Sequence, residues 1–439
     1  MPHSRPPGLG EQLNNCDQRK LLVLGGLAQH CEIIEDAKAQ GLYVIVIDNL
    51  DDSPGKRIAD ESHKISIVDV GEVVRLCRER SIDGVMNYCV DPGQKPYQQI
   101  CEQLGIPCYG TKEQFNVLTN KDLFYKVCAD YGLDIVPQFQ LPENGRGFEG
   151  LSLEYPVLVK PADGRASKGI SVCNGPADIP SAVEKALQFS ARKKVIIQKY
   201  LPKPEVCAKY FVCEGEVLLT SVSDTHSAYV RGERAYICGK IFPSIHYDEY
   251  LAHTDKKVRR LIKGLNIENG PLSFTGFYDE GKFRFFDPSF RLGGGQQWRI
   301  EAHISGVDVA NCMTQFALNG SMGDLSKIRM IDKKFETQRA VMLYILARTG
   351  RIAKIAGIAR AICHETVIGH HLSHREGDLI TTFGTSDHVV ARFLMVSSDA
   401  KKLRNDAESI RGMVDVLDQE GESMLLEGFD PRIVQWQKG

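Results

Sequence analysis

The chain has 439 residues, 43% of them hydrophobic and 25% charged, and its 54 Lys and Arg nearly balance 56 Asp and Glu for a net charge of -2. That balance excludes the strongly basic surface that nucleic acid or an anionic membrane attracts. The strongly apolar stretches LLVLGGL at 21–27 and LYVIVI at 42–47 fall far short of the roughly 18 residues of a membrane span. Thirteen cysteines, an odd number scattered without a CxxC, point to a reducing cytoplasm and buried thiols.

Residues 1–18 are Pro-, Gly- and Asn-rich without an apolar signal core and read as a disordered tail. A strand over 20–26, a helix over 30–40 closed by Gly41, and the apolar run LYVIVID (42–48) follow. A helix near 71–81, the strand DGVMNYCV (83–90) and a helix over 96–104 complete a pattern of alternating strands and helices. Such alternation predicts a parallel sheet over 19–110. Its first turn carries Gly25-Gly26 but no GxGxxG, which argues against a dinucleotide site.

From 111 the pattern changes. Two short helices meet at Thr119 and Asn120, good capping residues. EYPVLVKPADGRASKGISVC (154–173) reads as strand, glycine-bearing loop, strand; a helix over 177–190 and the strand KKVIIQKYL (193–201) follow. Two further hairpins turn at Glu214-Gly215 and Glu280-Gly281, a helix over 254–264 lies between them, and a helix over 299–320 closes the block. Residues 111–330 are therefore an α+β core built on antiparallel sheets, with a mobile lobe over about 155–200, and 331–439 form a small C-terminal α/β domain. The run CHETVIGHHLSH (363–374) lacks the zincin spacing and reads as a structural or solvated His cluster.

Lys160 ends a buried strand and runs into PADGRASKG, where Gly164, Ser167, Lys168 and Gly169 offer backbone N–H groups and a second cation suited to phosphate oxygens. Gln198, Lys199 and Leu201 leave another apolar strand as an edge that could hydrogen-bond a purine, with Glu205 as an acceptor for ribose hydroxyls. In FFDPSFRLGGG (285–295), Asp287, Ser289 and Arg291 set two oxygen donors and a fixed cation at one strand end. Mg²⁺ takes one or two carboxylates plus phosphate, and an Arg stabilises phosphoryl charge.

The order of these elements resembles the ATP-grasp superfamily over essentially the whole chain. The resemblance implies a pre-grasp domain (19–110), the grasp core and a C-terminal domain like that of carboxylate–amine ligases. It implies Lys121 and Lys160 as the phosphate-contacting lysines, Gly164 to Gly169 as the loop closing over ATP, and Gln198, Lys199 and Leu201 as the adenine edge. Glu205 becomes the ribose partner and Asp287 the Mg²⁺ ligand. The family usually writes Glu-x-Asn-x-Arg, where this chain has Asp287 and Ser289. A second acid usually stands on the partner strand, and counting back places Thr275 there, a neutral hydroxyl.

The activity implied is phosphoryl transfer from ATP to a small-molecule carboxylate, then attack by an amine on the acyl phosphate. Arg291 and Lys160 would be the catalytic cations. The missing carboxylate keeps a second reading open, a nucleotide-binding regulatory protein without turnover. A kinase that stops at the phosphorylated product is a third. The partners expected are the two small substrates, in an assembly compatible with a homodimer.

Overall fold

A computed structural model describes residues 18–141, 152–162, 169–230, 233–331 and 337–431. The chain forms two compact units, one of residues up to Cys108 with Met313–Ser321, the other of Tyr109–Cys312 with the chain from Met322 on. In the first unit β1 (Lys20–Leu24), β2 (Tyr43–Ile47), β3 (Glu61–His63) and β4 (Gly84–Met86) make a parallel sheet in the order β3-β2-β1-β4. Leu21 to Leu24 and Val44 to Ile47 are completely buried, the mark of strands covered on both faces. The helix Val70–Arg80 starts on Asp69, which accepts the Glu72 N–H, and ends on Ser81 in the left-handed region. The strand expected over 83–90 stops at Met86, because the Asn87 amide donates to the Val90 carbonyl at 3.0 Å and turns the chain.

The second unit opens on the helices Lys112–Thr119 and Lys121–Asp130. Thr111 and Gln114 form a capping box on the first, and the Asn120 side chain caps the second. That cap makes Lys121 the first residue of its helix. Strands β5 (Asp134–Ile135), β6 (Gln138–Gln140), β7 (Val157–Pro161), β8 (Ser171–Cys173) and β9 (Val195–Lys199) follow. Four of them pair as β6-β9-β7-β8, backed by the helix Ile179–Gln188 through Val159, Ile179, Val183 and Ile197.

The long strands come next: β10 (Glu205–Cys213), β11 (Glu216–Val230), β12 (Glu233–Phe242), β13 (Gly270–Asp279) and β14 (Lys282–Ser289). Both predicted hairpin turns have two successive residues at positive φ, Glu214-Gly215 and Glu280-Gly281, the geometry that matches strand twist. The C-terminal segment supplies β15 (Arg339–Leu346), β16 (Gly350–Arg351), β17 (Lys354–Ala356), β18 (Val367–Leu372), β19 (Leu379–Ile380), β20 (Val389–Ser397) and β21 (Asp415–Leu417). Three of these extend the main sheet, whose order is β18-β20-β15-β12-β11-β10-β13-β14-β5. The helix Ala400–Met413 packs there through Leu403, Ala407 and Ile410.

The single helix expected over 299–320 is broken into Trp298–Ser305 and Val309–Asn319. Gly306 takes φ 77°, the Ser305 hydroxyl accepts the Val307 N–H at 3.1 Å, and Asp308 caps the second helix through Ala310 and Asn311.

Register decides what each face of the main sheet carries, because directly opposed residues of antiparallel strands point the same way. Asp287 stands opposite Thr275, Thr275 opposite Cys207, and Cys207 opposite Ser223. Ser289 stands opposite Ser273, Ser273 opposite Lys209, and Lys209 opposite Ser221. One face is thus polar. The other carries Phe274, whose ring lies 5.9 Å from Phe124, 6.0 Å from Tyr210 and 6.2 Å from Phe285.

Just beyond β14, Phe290 is fully buried, with ring centroids 5.0 Å from both Tyr109 and Phe115. Its carbonyl accepts the Tyr109 hydroxyl at 3.0 Å. Phe290 therefore anchors the segment between Ser289 and Arg291. Phe290→Ala should cost about 3–5 kcal/mol, seen as a lower urea midpoint for this unit; an unchanged midpoint would mean that the aromatic cluster does not hold the strand end.

Candidate functional site

Lys160 sits near the end of β7 and is 5% exposed. Its Nζ donates to Gln198 Oε1 on the neighbouring β9 and lies 5.5 Å from the centroid of the Phe286 ring. Burial lowers its pKa to about 7; the Lys121 charge adds to that effect, while Asp287 and Glu205 oppose it. Lys121, at the start of its helix, places Nζ 3.2 Å from Asp287 Oδ1. From the same helix Tyr125 donates to the Phe286 carbonyl at 3.0 Å, and burial together with the Asp287 charge pushes its phenol pKa up. Two lysines and two carboxylates from four separate elements therefore share one electrostatic neighbourhood.

Thr275 lies opposite Asp287 across the hairpin, where the chain bulges before Gly276. Its hydroxyl is turned toward Cys207 Sγ at 3.7 Å. Ser289 Oγ is buried and has no hydrogen-bond partner among the described residues. Such an orphaned oxygen calls for a ligand or an ion. Asp279, at the hairpin tip, is committed elsewhere: it pairs with Lys203 at 2.6 Å, Arg284 at 3.1 Å and Lys199 at 3.7 Å. The Lys203 contact leads in lowering its pKa.

Along the expected adenine edge, Gln198 is occupied by Lys160 and the Lys199 N–H donates to the Pro137 carbonyl at 2.9 Å. Leu201 is buried and follows directly. Glu205 begins β10 opposite Phe277 and Thr225. Gly169 takes φ 74°, and a methyl there would meet the Phe189 ring at 2.9 Å, so the end of the expected loop requires glycine. Gly164, Ser167 and Lys168 lie outside the described residues. In the His run, His370 and His371 lie on β18, and His374 Nε2 is 2.8 Å from the Asp387 carbonyl.

Arg291 donates to the Leu292 carbonyl at 2.6 Å and lines a small cavity with Lys209 and Glu301. The only sequence signal for Lys209 is its place as a lone lysine inside the apolar run EVCAKYFVC. It is 8% exposed, and burial lowers its pKa to about 8 against the opposing charge of Glu301. Lys240 on β12 and Arg392 on β20 were also missed. Both reach the loop after Arg291, from strands that only the folded sheet brings near it.

The fold, a two-lobed antiparallel core combined with a parallel-sheet unit, is that of the ATP-grasp proteins. The family described as carbamoyl-phosphate synthase L chain, ATP binding domain, matches residues 121–212. D-alanine–D-alanine ligase of Geobacter sulfurreducens is 26% identical over 172 residues, 37% of this chain and 54% of that protein. Formate-dependent phosphoribosylglycinamide formyltransferase of Syntrophotalea carbinolica is 24% identical over 194 residues, 42% of this chain and 47% of that one. The chain thus spans about half the length of these two relatives. The crystal structure of L-amino acid ligase from Bacillus licheniformis superposes with a TM-score of 0.76 at 18% identity, covering 92% of this chain and 99% of that one. The chain thus has the fold of the ATP-grasp proteins, and residues 121–212 are similar in sequence to an ATP-binding domain of that kind.

The depressed pKa of Lys160 has a definite sign in stability. The folded chain binds fewer protons than the unfolded one between about pH 7 and the ordinary lysine value, so this group's contribution improves as pH rises through that window. Below about pH 7 both states hold the proton and the burial penalty is complete. The stability of the parent relative to Lys160→Met should therefore rise from about pH 7 to pH 9 in urea titrations. A difference independent of pH would show that Nζ is not desolvated.

Proposed function

We propose that the chain is an ATP-dependent ligase that activates a small carboxylic acid as an acyl phosphate and joins it to an amine. The observation that carries this reading is the meeting of Lys121, Lys160 and Asp287 beside Glu205. A carboxylate oxygen of the acid attacks the γ-phosphorus of ATP and ADP leaves. The amine nitrogen then attacks the carbonyl carbon, phosphate departs, and the nitrogen loses a proton. No side chain serves as nucleophile; the protein's work is alignment and charge neutralisation.

Lys121 and Lys160 are assigned to the phosphates and Arg291 to the transferring group. Gln198, Lys199 and Leu201 are assigned to the adenine edge, Glu205 to the ribose and the segment Gly164 to Gly169 to cover over the nucleotide. Lys160, poised near neutrality while buried, gains its proton readily once an anion lies beside it. The donor set of Asp287, the orphaned Ser289 hydroxyl and Thr275 fits Mg²⁺, which keeps water and phosphate in its shell and needs few protein carboxylates. Bound there, the ion would neutralise phosphate charge.

No helix among the described residues is long and apolar enough to cross a membrane. The setting proposed is a reducing cytoplasm, in keeping with free, mostly buried thiols among the described residues.

A second reading, nucleotide binding without turnover, is favoured by Thr275 standing where a second acid would face Asp287. Product analysis separates the two, along with a kinase that stops early. The ligase yields ADP, phosphate and an amide; a kinase yields ADP and a stable phosphorylated acid; a binding protein yields nothing. Asp287→Ala should lower Mg²⁺-dependent turnover by about a hundredfold or more, and full activity in that variant would sink the proposal. Lys160→Ala should weaken calorimetric binding of a non-hydrolysable ATP analogue by about tenfold or more, as expected for a lost charge-assisted hydrogen bond. Thr275→Glu should lower the Mg²⁺ concentration needed for half-maximal rate.

A further inference from the structure

Beyond Arg291 the chain runs Leu292, three glycines, Gln296 and Gln297. Four strands of the main sheet converge on this loop. From β10 comes Lys209, so close that a methyl on Gly293 would sit 3.0 Å from its Nζ. Lys240 of β12 donates to Gln297 Oε1 at 3.3 Å. On β15, Tyr344 would meet a methyl on Gly295 at 3.3 Å through its hydroxyl. Arg392 of β20, directly opposite Tyr344, donates to Gln296 Oε1 at 2.6 Å and approaches the Gly294 carbonyl at 3.5 Å. Gln296 takes φ 58°, a left-handed conformation rare for a residue with a side chain, and the Arg392 bond helps hold it.

Donors at this loop exceed their partners. Gln297 is 1% exposed and its Nε2 has no hydrogen-bond partner among the described residues. Nor does Arg392 Nε. Lys209, 92% of it removed from solvent by its 8% exposure, makes no ion pair or hydrogen bond through Nζ among the described residues. The carboxylate facing it is Glu301, itself held by the Ser221 hydroxyl at 2.7 Å. Burying cations beside an unpartnered amide N–H is costly unless an anion completes the site.

We propose that Gln297, Lys209 and Lys240 form a pocket for a carboxylate other than the one that is activated. The inference rests on the ligase reading and deepens it: the substrate pair carries two carboxylates. The second belongs either to a dicarboxylic acid or to an amine that is itself an amino acid. A carboxylate accepts two or more hydrogen bonds in its plane, which an amide N–H and two ammonium groups supply. The glycines leave room for it, since side chains at 293 and 295 would fill the space between Lys209, Gln297 and Tyr344.

The test is calorimetric binding to the full chain saturated with a non-hydrolysable ATP analogue and Mg²⁺. Probes come in two pairs, glutarate against butyrate and alanine against alaninamide. One carboxylated probe should bind at least tenfold more tightly than its partner, and the pair in which this happens identifies the source. Lys209→Gln and the more exposed Lys240→Gln should each lose tenfold or more in affinity for that probe while binding the nucleotide analogue as the parent does. Equal affinity within both pairs, or affinity unchanged in both variants, overturns the pocket. Failure of the parent to bind the nucleotide analogue would instead overturn the ligase reading, so the two failures are distinct.

Discussion

Everything at the site depends on the strand register of the main sheet. An antiparallel ladder sends alternate residues to opposite faces, and a slip of one residue exchanges the two sets. With Thr275 opposite Asp287 and Lys209 opposite both Ser273 and Ser221, acids, hydroxyls and cations gather on one face. Phe274 and Tyr210 then point to the other, against Phe124. The aromatic face fixes the polar one. A slip would bury the polar groups among aromatic rings without partners, so the cost of the wrong register is paid twice.

Desolvation is the second principle shared by the site's cations. Lys160 and Lys209 are buried deeply enough that their pKa values fall to about 7 and about 8. Lys121 stands in a more open position, with its Nζ 3.2 Å from Asp287. Buried lysines neighbouring other cations are poor candidates for stabilising a resting protein. They are well suited to receiving anions, whose arrival restores full charge to groups already in place. Asp279 shows the opposite arrangement: three cations surround it and leave no capacity for a ligand.

Much of this was legible in the sequence because the informative signals were local. The Glu-Gly turn makes the hairpin legible, but regular pairing from it would set Phe274 opposite Asp287; the bulge before Gly276 brings Thr275 there, where the spacing implied by the family resemblance also places it. Lys160 announced itself by ending an apolar strand before a glycine loop. The signals that failed were long-range. Nothing near Arg392 or Lys240 in sequence ties them to the glycines at 293–295; only pairing of β12, β15 and β20 within one sheet does so. Helix limits failed for a different reason. The periodicity of 299–320 is helical throughout, and the break comes from Gly306 with the competing caps of Ser305 and Asp308.

The junction between β12 and β15 also bears on how such a chain can be divided. Gly239 through Phe242 pair with Leu343 through Ala340, so dividing the chain between the glycine loop and β15 would expose an unpaired edge in the middle of a sheet. The same cut would carry away Tyr344 and Arg392, which bracket the glycine loop. Exchange of the last hundred or so residues would therefore replace two of the side chains beside the glycine loop along with the outer strands of the sheet. Any replacement C-terminal segment would have to match at the loop after Arg291, where Tyr344 and Arg392 meet the chain.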